Sequence, residues 1–220
     1  ECVDKEFGKQ CNPRTGFCQN ARRFVPVELL DVAGLVPGAH EGKGLGNKFL
    51  DDLRQADVLI HIVDASGSTN EVGERVPVGS YDPCNDVRFL EQELDYWIKG
   101  ILDNNWNKLA REAKLNTKKN EDIITNQFSG LGMNRTIIAR VLKELKLEEK
   151  PIDQWSEDER LNLCKKIRQI GKPIIIAANK CDLSAGWENF QKIKKTFPEY
   201  VVIACSAEAE ITLKGAAKAG

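Results

Sequence analysis

The sequence predicts an α/β fold: a mainly parallel sheet, interrupted by a long helical insertion. Two observations carry this expectation. Continuous apolar runs end at acidic or amide residues, as buried parallel strands do, at Val58–Val63 before Asp64 and at Ile174–Ala178 before Asn179. Between those runs lie roughly a hundred residues whose apolar positions follow helical spacing.

Taken in order, Val25–Leu30 is short, apolar-rich and ends at Asp31, so it is expected to be a strand. Leu45, Phe49, Leu50, Leu53 and Ala56 have helical spacing. Strand, helix and the Val58–Val63 strand then imply a right-handed parallel crossover. Residues 66–83 carry Gly, Ser, Val and Pro without period and predict a loop. Leu90, Leu94, Trp97, Ile98, Ile101 and Leu102 form one apolar helical stripe, and Ile137, Ile138, Val141, Leu142 and Leu145 form a second. These stripes are expected to make a core of their own. A third helix opens with the capping pair Ser156 and Glu159 and stops at Gly171, ahead of Pro173. The strand Ile174–Ala178 resumes the sheet, Trp187 to Phe197 is helical, and Val201–Ala204 is another strand. The expected division is a split core, residues 1–71 and 172–220, around a helical insertion domain, residues 72–171.

Of the 220 residues, 41% are hydrophobic and 30% charged, which excludes a disordered chain. A formal net charge of −1 excludes bulk attraction to nucleic acid or membrane. No apolar run approaches the roughly 20 residues that span a bilayer, and no signal-peptide pattern opens the chain. The expectation is a cytoplasmic monomer that meets neither membrane nor DNA. Within the insertion, Lys108–Lys150 holds ten Lys or Arg against six Asp or Glu, whereas Asp82–Asn107 holds two against six. That asymmetry suits either a solvated helical hairpin or an RNA-facing side. Cys84, Cys164, Cys181 and Cys205 are expected to be small buried hydrophobes. Cys2, Cys11 and Cys18 are nine and seven residues apart, which lacks the tight spacing of a zinc site.

Chemistry concentrates at the strand tips. Asn179-Lys180-Cys181-Asp182 follows a buried strand. The Asp182 carboxylate has the acceptors to take two hydrogen bonds from guanine, at N1–H and the exocyclic amine. Adenine offers neither and would leave that carboxylate unpaired, which is costly. Lys180 has a methylene stem to lay along the base, Asn179 an amide to tie loops together, and Ser206-Ala207 backbone N–H groups to meet guanine O6. Asp31-Val-Ala-Gly34 stands at the earlier tip. Its carboxylate suits Mg²⁺ held through water, and its glycine lets a backbone N–H approach a γ-phosphate. Gly34, Gly38, Gly42, Gly44 and Gly46 follow in a run suited to being ordered by that phosphate and released afterwards. His40 lies within it, as a solvated loop residue or a proton relay. No Gly-x-x-x-x-Gly-Lys-Ser/Thr phosphate loop occurs in the chain.

The run from Leu29 to Arg54, LLDVAGLVPGAHEGKGLGNKFLDDLR, resembles the YchF branch of the Obg-related GTPases, a resemblance that extends over essentially the whole chain. It implies a Rossmann-like P-loop GTPase core, a helical arm following Val-Asp-Ala-Ser-Gly, and GTP with Mg²⁺ as ligands. It also implies association with the ribosome or ribosomal RNA. The phosphate loop and switch threonine would precede residue 1 and a TGS domain would follow residue 220. A segment so placed is expected to bind nucleotide poorly by itself. Keeping Lys180 and Asp182 resembles the archaeal-type, GTP-specific members, where other members prefer ATP. Leu35 stands where Ras-like switches carry a water-orienting glutamine, which implies slow hydrolysis. No catalytic residue is assigned beyond the switch region of Gly34, Leu35 and His40. Two other readings stay open: an ATP-hydrolysing relative, and a nucleotide-stabilised scaffold that binds protein or RNA through its helical arm.

Overall fold

The computed structural model describes residues 8, 11–20, 22–32, 38, 52–53, 55–115 and 119–219. Glu1–Asp31 and Val32–Gly220 are separate compact units.

In the first unit, β1 (Phe17–Gln19) and β2 (Arg22–Phe24) pair antiparallel, with Gln19 opposite Arg22. Asn20 turns the corner at φ 51, a conformation that asparagine tolerates. The rings of Phe17 and Phe24 stack at 4.7 Å. Val25–Leu30 is not a strand, contrary to the sequence expectation: it has no ladder partner among the described residues, and Val25, Val27, Leu29 and Leu30 are exposed. An apolar run becomes a strand only where a neighbour supplies hydrogen bonds and cover, and here Pro26 removes one donor as well. The first half of the expected crossover is therefore absent from the described residues.

The second unit is built on a parallel sheet ordered β3 (Leu59–Asp64), β4 (Ile174–Asn179), β5 (Val201–Ala204). The register sets Asp64 opposite Asn179 and Ala178 opposite Ala204, so three strand tips finish side by side. Between β3 and β4 the chain forms α1 (Cys84–Asn104), α2 (Trp106–Lys114), α3 (Asn120–Phe128), α4 (Arg135–Glu144) and α5 (Glu157–Gly171). After β4 come α6 (Gly186–Thr196) and, beyond β5, α7 (Ala207–Ala219). The predicted helix over 45–56 falls largely outside the described residues. Asp52, Leu53 and Gln55 are helical there, with Leu53 buried.

Each helical stripe buries where its periodicity places it. Leu94, Ile98 and Leu102 of α1, Ile138, Val141 and Leu142 of α4, and Leu163 and Ile167 of α5 are all closed to solvent. Ser156 and Glu159 make both bonds of the capping box that starts α5. The stripes do not form a core of their own: one apolar cluster runs from the helices through Val63, Ile174 and Ile176 of the sheet to Ile193 and Phe197. The reason is α1, which packs along α5 and also against β3 and α6. Its polar seam is buried too. Arg168 of α5 donates to Asp95 at 2.6 Å and Glu91 at 2.9 Å, both on α1, and to the Tyr200 hydroxyl at 2.7 Å ahead of β5. Burial opposes the guanidinium charge, but Asp95 and Tyr200 outweigh it and hold Arg168 cationic. On the other sheet face Ile60, Ile62, Val201 and Ile203 are exposed. No helix among the described residues is long and apolar enough to cross a membrane.

Candidate nucleotide site

Backbone hydrogen bonds lock the three strand tips before any side chain takes part. Ala65 N–H donates to the Asn179 carbonyl at 2.9 Å, Cys205 N–H to Ala178 at 2.9 Å, and Cys181 N–H to Cys205 at 3.1 Å. From this platform the loop 179–186 projects. Lys180 sits in the left-handed region at φ 62, which is costly for a residue with a Cβ and recurs at functional sites. Leu183 N–H returns to the Lys180 carbonyl at 3.2 Å, closing the turn that carries Asp182. Gly186, buried at the start of α6, presses on the same peptide: a Cβ there would lie 2.3 Å from the Lys180 oxygen and 2.7 Å from the Cys181 Cα. Only glycine lets α6 begin so close to the loop.

Asn179 joins the tips as its sequence position suggested. Its Oδ1 accepts the Ala207 N–H at 3.0 Å, tying the end of β4 to the first turn of α7. The Ala207 N–H, one candidate for guanine O6, is thus engaged with Asn179. Ser206 Oγ accepts the Ala209 N–H at 3.4 Å in that same turn. Asp182 is exposed.

The residue that sequence reading missed is Asp64. Its carboxylate accepts from Lys180 Nζ at 2.7 Å, from the Ser66 N–H and hydroxyl at 3.0 and 2.6 Å, and from the hydroxyls of Ser68 and Thr69 at 2.7 and 2.9 Å. Burial works to raise its pKa, but the bonds from Lys180, Ser66, Ser68 and Thr69 outweigh that and hold it well below the usual carboxylate range. The signal was in the sequence as Asp64-x-Ser66-x-Ser68-Thr69, three hydroxyls following an acid at a strand tip. Gly67, at φ 61, turns this strap: its N–H donates to the Asp64 carbonyl, and a Cβ on it would lie 2.3 Å from the Tyr81 oxygen.

Asp31 ends the first unit as an exposed side chain with no hydrogen bond among the described residues. An exposed carboxylate is a hard oxygen donor of the kind Mg²⁺ accepts. Gly34, Leu35 and His40 lie outside the described residues. Of the glycine-rich run, Gly38 is described, and its N–H donates to the buried Glu93 carboxylate of α1 at 2.9 Å. Cys84 and Cys164 are fully buried, Cys181 and Cys205 partly so, and burial pushes all four thiols up. Cys18 is buried, Cys11 partly exposed, and Cys2 lies outside the described residues. No cluster of three or more potential metal ligands occurs among the described residues.

A parallel sheet whose tips carry an Asn-Lys-x-Asp loop, with the next helix tied to it, defines a nucleotide-binding α/β protein of the P-loop GTPase type. Two family models agree: an Obg-like GTPase G4 motif-containing domain of the YGR210-like kind matches residues 177–220, and a 50S ribosome-binding GTPase model matches residues 10–86. A GTP-binding protein of Methanocaldococcus jannaschii is 51% identical over 219 residues, covering 100% of this chain and 54% of that protein. The ribosome-binding ATPase YchF of Bacillus subtilis is 31% identical over 204 residues, covering 87% and 52%. The crystal structure of a GTP-binding protein from Pyrococcus horikoshii superposes with a TM-score of 0.80 at 40% identity, covering 98% of this chain and 58% of that one. The chain belongs to the YchF/Obg-like GTP-binding proteins. It spans about half the length of the curated relatives it matches.

Proposed function

We propose that this chain carries the guanine-reading part of a slowly hydrolysing GTPase that works as a switch at the ribosome. The observation that carries the reading is the loop 179–182, which is fixed by Asn179 to α7 and by Lys180 to β3 while Asp182 stays exposed. In this reading Asp182 takes the N1–H and amine of guanine, and the stem of Lys180 lies along the ring. The backbone at Ser206 and Ala207 faces O6, the Ala207 N–H being shared with Asn179. Asp31 holds Mg²⁺ through water, and Gly34 offers its N–H to the γ-phosphate. The metal would supply charge neutralisation at the phosphates. Leu35 has no hydrogen-bonding group to orient water, so turnover is slow. Residues 1–71 and 172–220 serve as the nucleotide-binding core, and 72–171 as the arm presented to a ribosomal partner.

The test uses the intact natural protein. GTP and ATP compete against a fluorescent guanine nucleotide, and GTP is expected to win by at least tenfold; equal competition sinks the assignment of Asp182. In the Asp182→Asn variant, GTP affinity is expected to fall by about tenfold or more and xanthosine nucleotides to gain, because Asn offers a donor where the carboxylate accepted. A second reading, ATP hydrolysis, is favoured by one observation: the Bacillus subtilis relative is a ribosome-binding ATPase. The same competition decides between them.

A further inference from the structure

We propose that Asp64 is a positioning residue for guanine recognition, holding the Lys180 side chain in its reading position and tying it to the strap that leads into the helical segment. This inference rests on the reading of Lys180 given above.

The geometry follows from the strand register. Asp64 is paired with Asn179, so the next residue along β4 brings its ammonium back across the tips to the acid. An ionised carboxylate accepts at about four lone-pair sites, and all of them are in use. One oxygen takes two bonds from Ser66; the other takes Ser68, Thr69 and Lys180. Ser68 Oγ also accepts from Lys180 Nζ at 3.0 Å, so the lysine has two acceptors on the β3 side. Asp64 is sheltered, with 11% of its side chain exposed against 39% for Lys180. A free lysine stem loses considerable rotamer entropy when it is ordered on a ligand. Holding the ammonium on Asp64 and Ser68 lowers that cost, which is preorganisation. Lys180 reaches these acceptors from a left-handed backbone at φ 62, a conformation that recurs at functional sites. The strap beyond Asp64, residues 66–69, is the segment by which the chain leaves β3 for α1. One carboxylate therefore serves both the base-reading loop and the entry to the helices.

The competing role is a purely local one, in which Asp64 does no more than cap the turn through Ser66, Ser68 and Thr69. A double-mutant cycle separates the two. GDP and ADP affinities are measured by titration of the intact natural protein with Asp64→Ala, Lys180→Ala and both together. Because the Lys180 carbonyl closes the turn that carries Asp182, Asp64→Ala is expected to weaken GDP about tenfold with little change for ADP. The double variant should bind GDP no more weakly than Lys180→Ala alone. Asp64→Asn keeps the shape and part of the strap bonding, loses the ion pair, and should fall between; it carries the cycle if Asp64→Ala does not fold. Additive losses, or equal losses for GDP and ADP, overturn the proposal. Asp182→Asn is run beside them. A changed GDP-to-ADP ratio in Asp182→Asn with none in the Asp64 variants removes this inference alone. An unchanged ratio in the Asp182, Lys180 and Asp64 variants alike removes the guanine-reading assignment and this inference with it.

Discussion

Lys146 and Lys180 share a backbone conformation, at φ 57 and 62, in two regions that use it differently. Lys146 follows α4, where the Leu147 N–H closes back on the Leu142 carbonyl at 2.8 Å and Leu147 turns into the core. That is a helix C-terminus of the kind glycine usually fills. Lys180 caps a strand tip where its side chain is occupied by Asp64 and Ser68. In the helical region left-handed backbone is a cost of ending a helix. At the tips the residue that bears this cost also bonds Asp64 and Ser68 through its side chain. The helical region is held by apolar burial and a sealed Arg168 network. The tips are held by backbone bonds, small residues and one carboxylate. Changes in the first should therefore move stability, and changes in the second should move ligand selectivity.

The largest expected effect breaks the helical region. Arg168→Ala leaves Asp95 buried and unpaired, and is expected to cost about 3–5 kcal/mol of stability. The check is thermal unfolding of the intact protein alongside its GDP-to-ADP affinity ratio. A large fall in Tm with an unchanged ratio supports the division; a lost ratio in the folded protein breaks it. Gly186→Ala comes next, at about 1–3 kcal/mol, because the added methyl forces the Lys180 peptide to move. Here the ratio should fall towards one even in protein that remains folded, and retained selectivity would show that the loop does not need the close start of α6. The smallest effect is a gain. Lys146→Gly relieves the left-handed backbone and should stabilise by up to about 1 kcal/mol, roughly 2–4 °C in Tm for a chain of this size, with nucleotide binding untouched.

Much of this was legible in the sequence. The strands ending at Asp64, Asn179 and Ala204, the stripes of α1 and α4, the capped α5, and α6 stand where periodicity placed them. The Asn179–Asp182 loop was legible because its residue types have few other uses in that order at a strand tip. Val25–Leu30 misled because composition reports what a segment favours and not whether a partner strand lies beside it. Helices α2 and α3 were not anticipated. Each is nine residues long, and α2 buries a single residue, Leu109, so its apolar period is faint.

Sequence alone determined the local rules: which runs favour a strand, which faces of helices are apolar, and which loop carries Asn-Lys-x-Asp. Only the tertiary structure decided that the helical segment shares its core with the sheet, since that depends on α1 lying against β3 and α6 as well as α5. Only the structure, too, brought Asp64 to Lys180, 116 positions apart. Local propensity fixes what each residue can bond. The parallel register, set by hydrogen bonds between strands distant in sequence, fixes which residues meet.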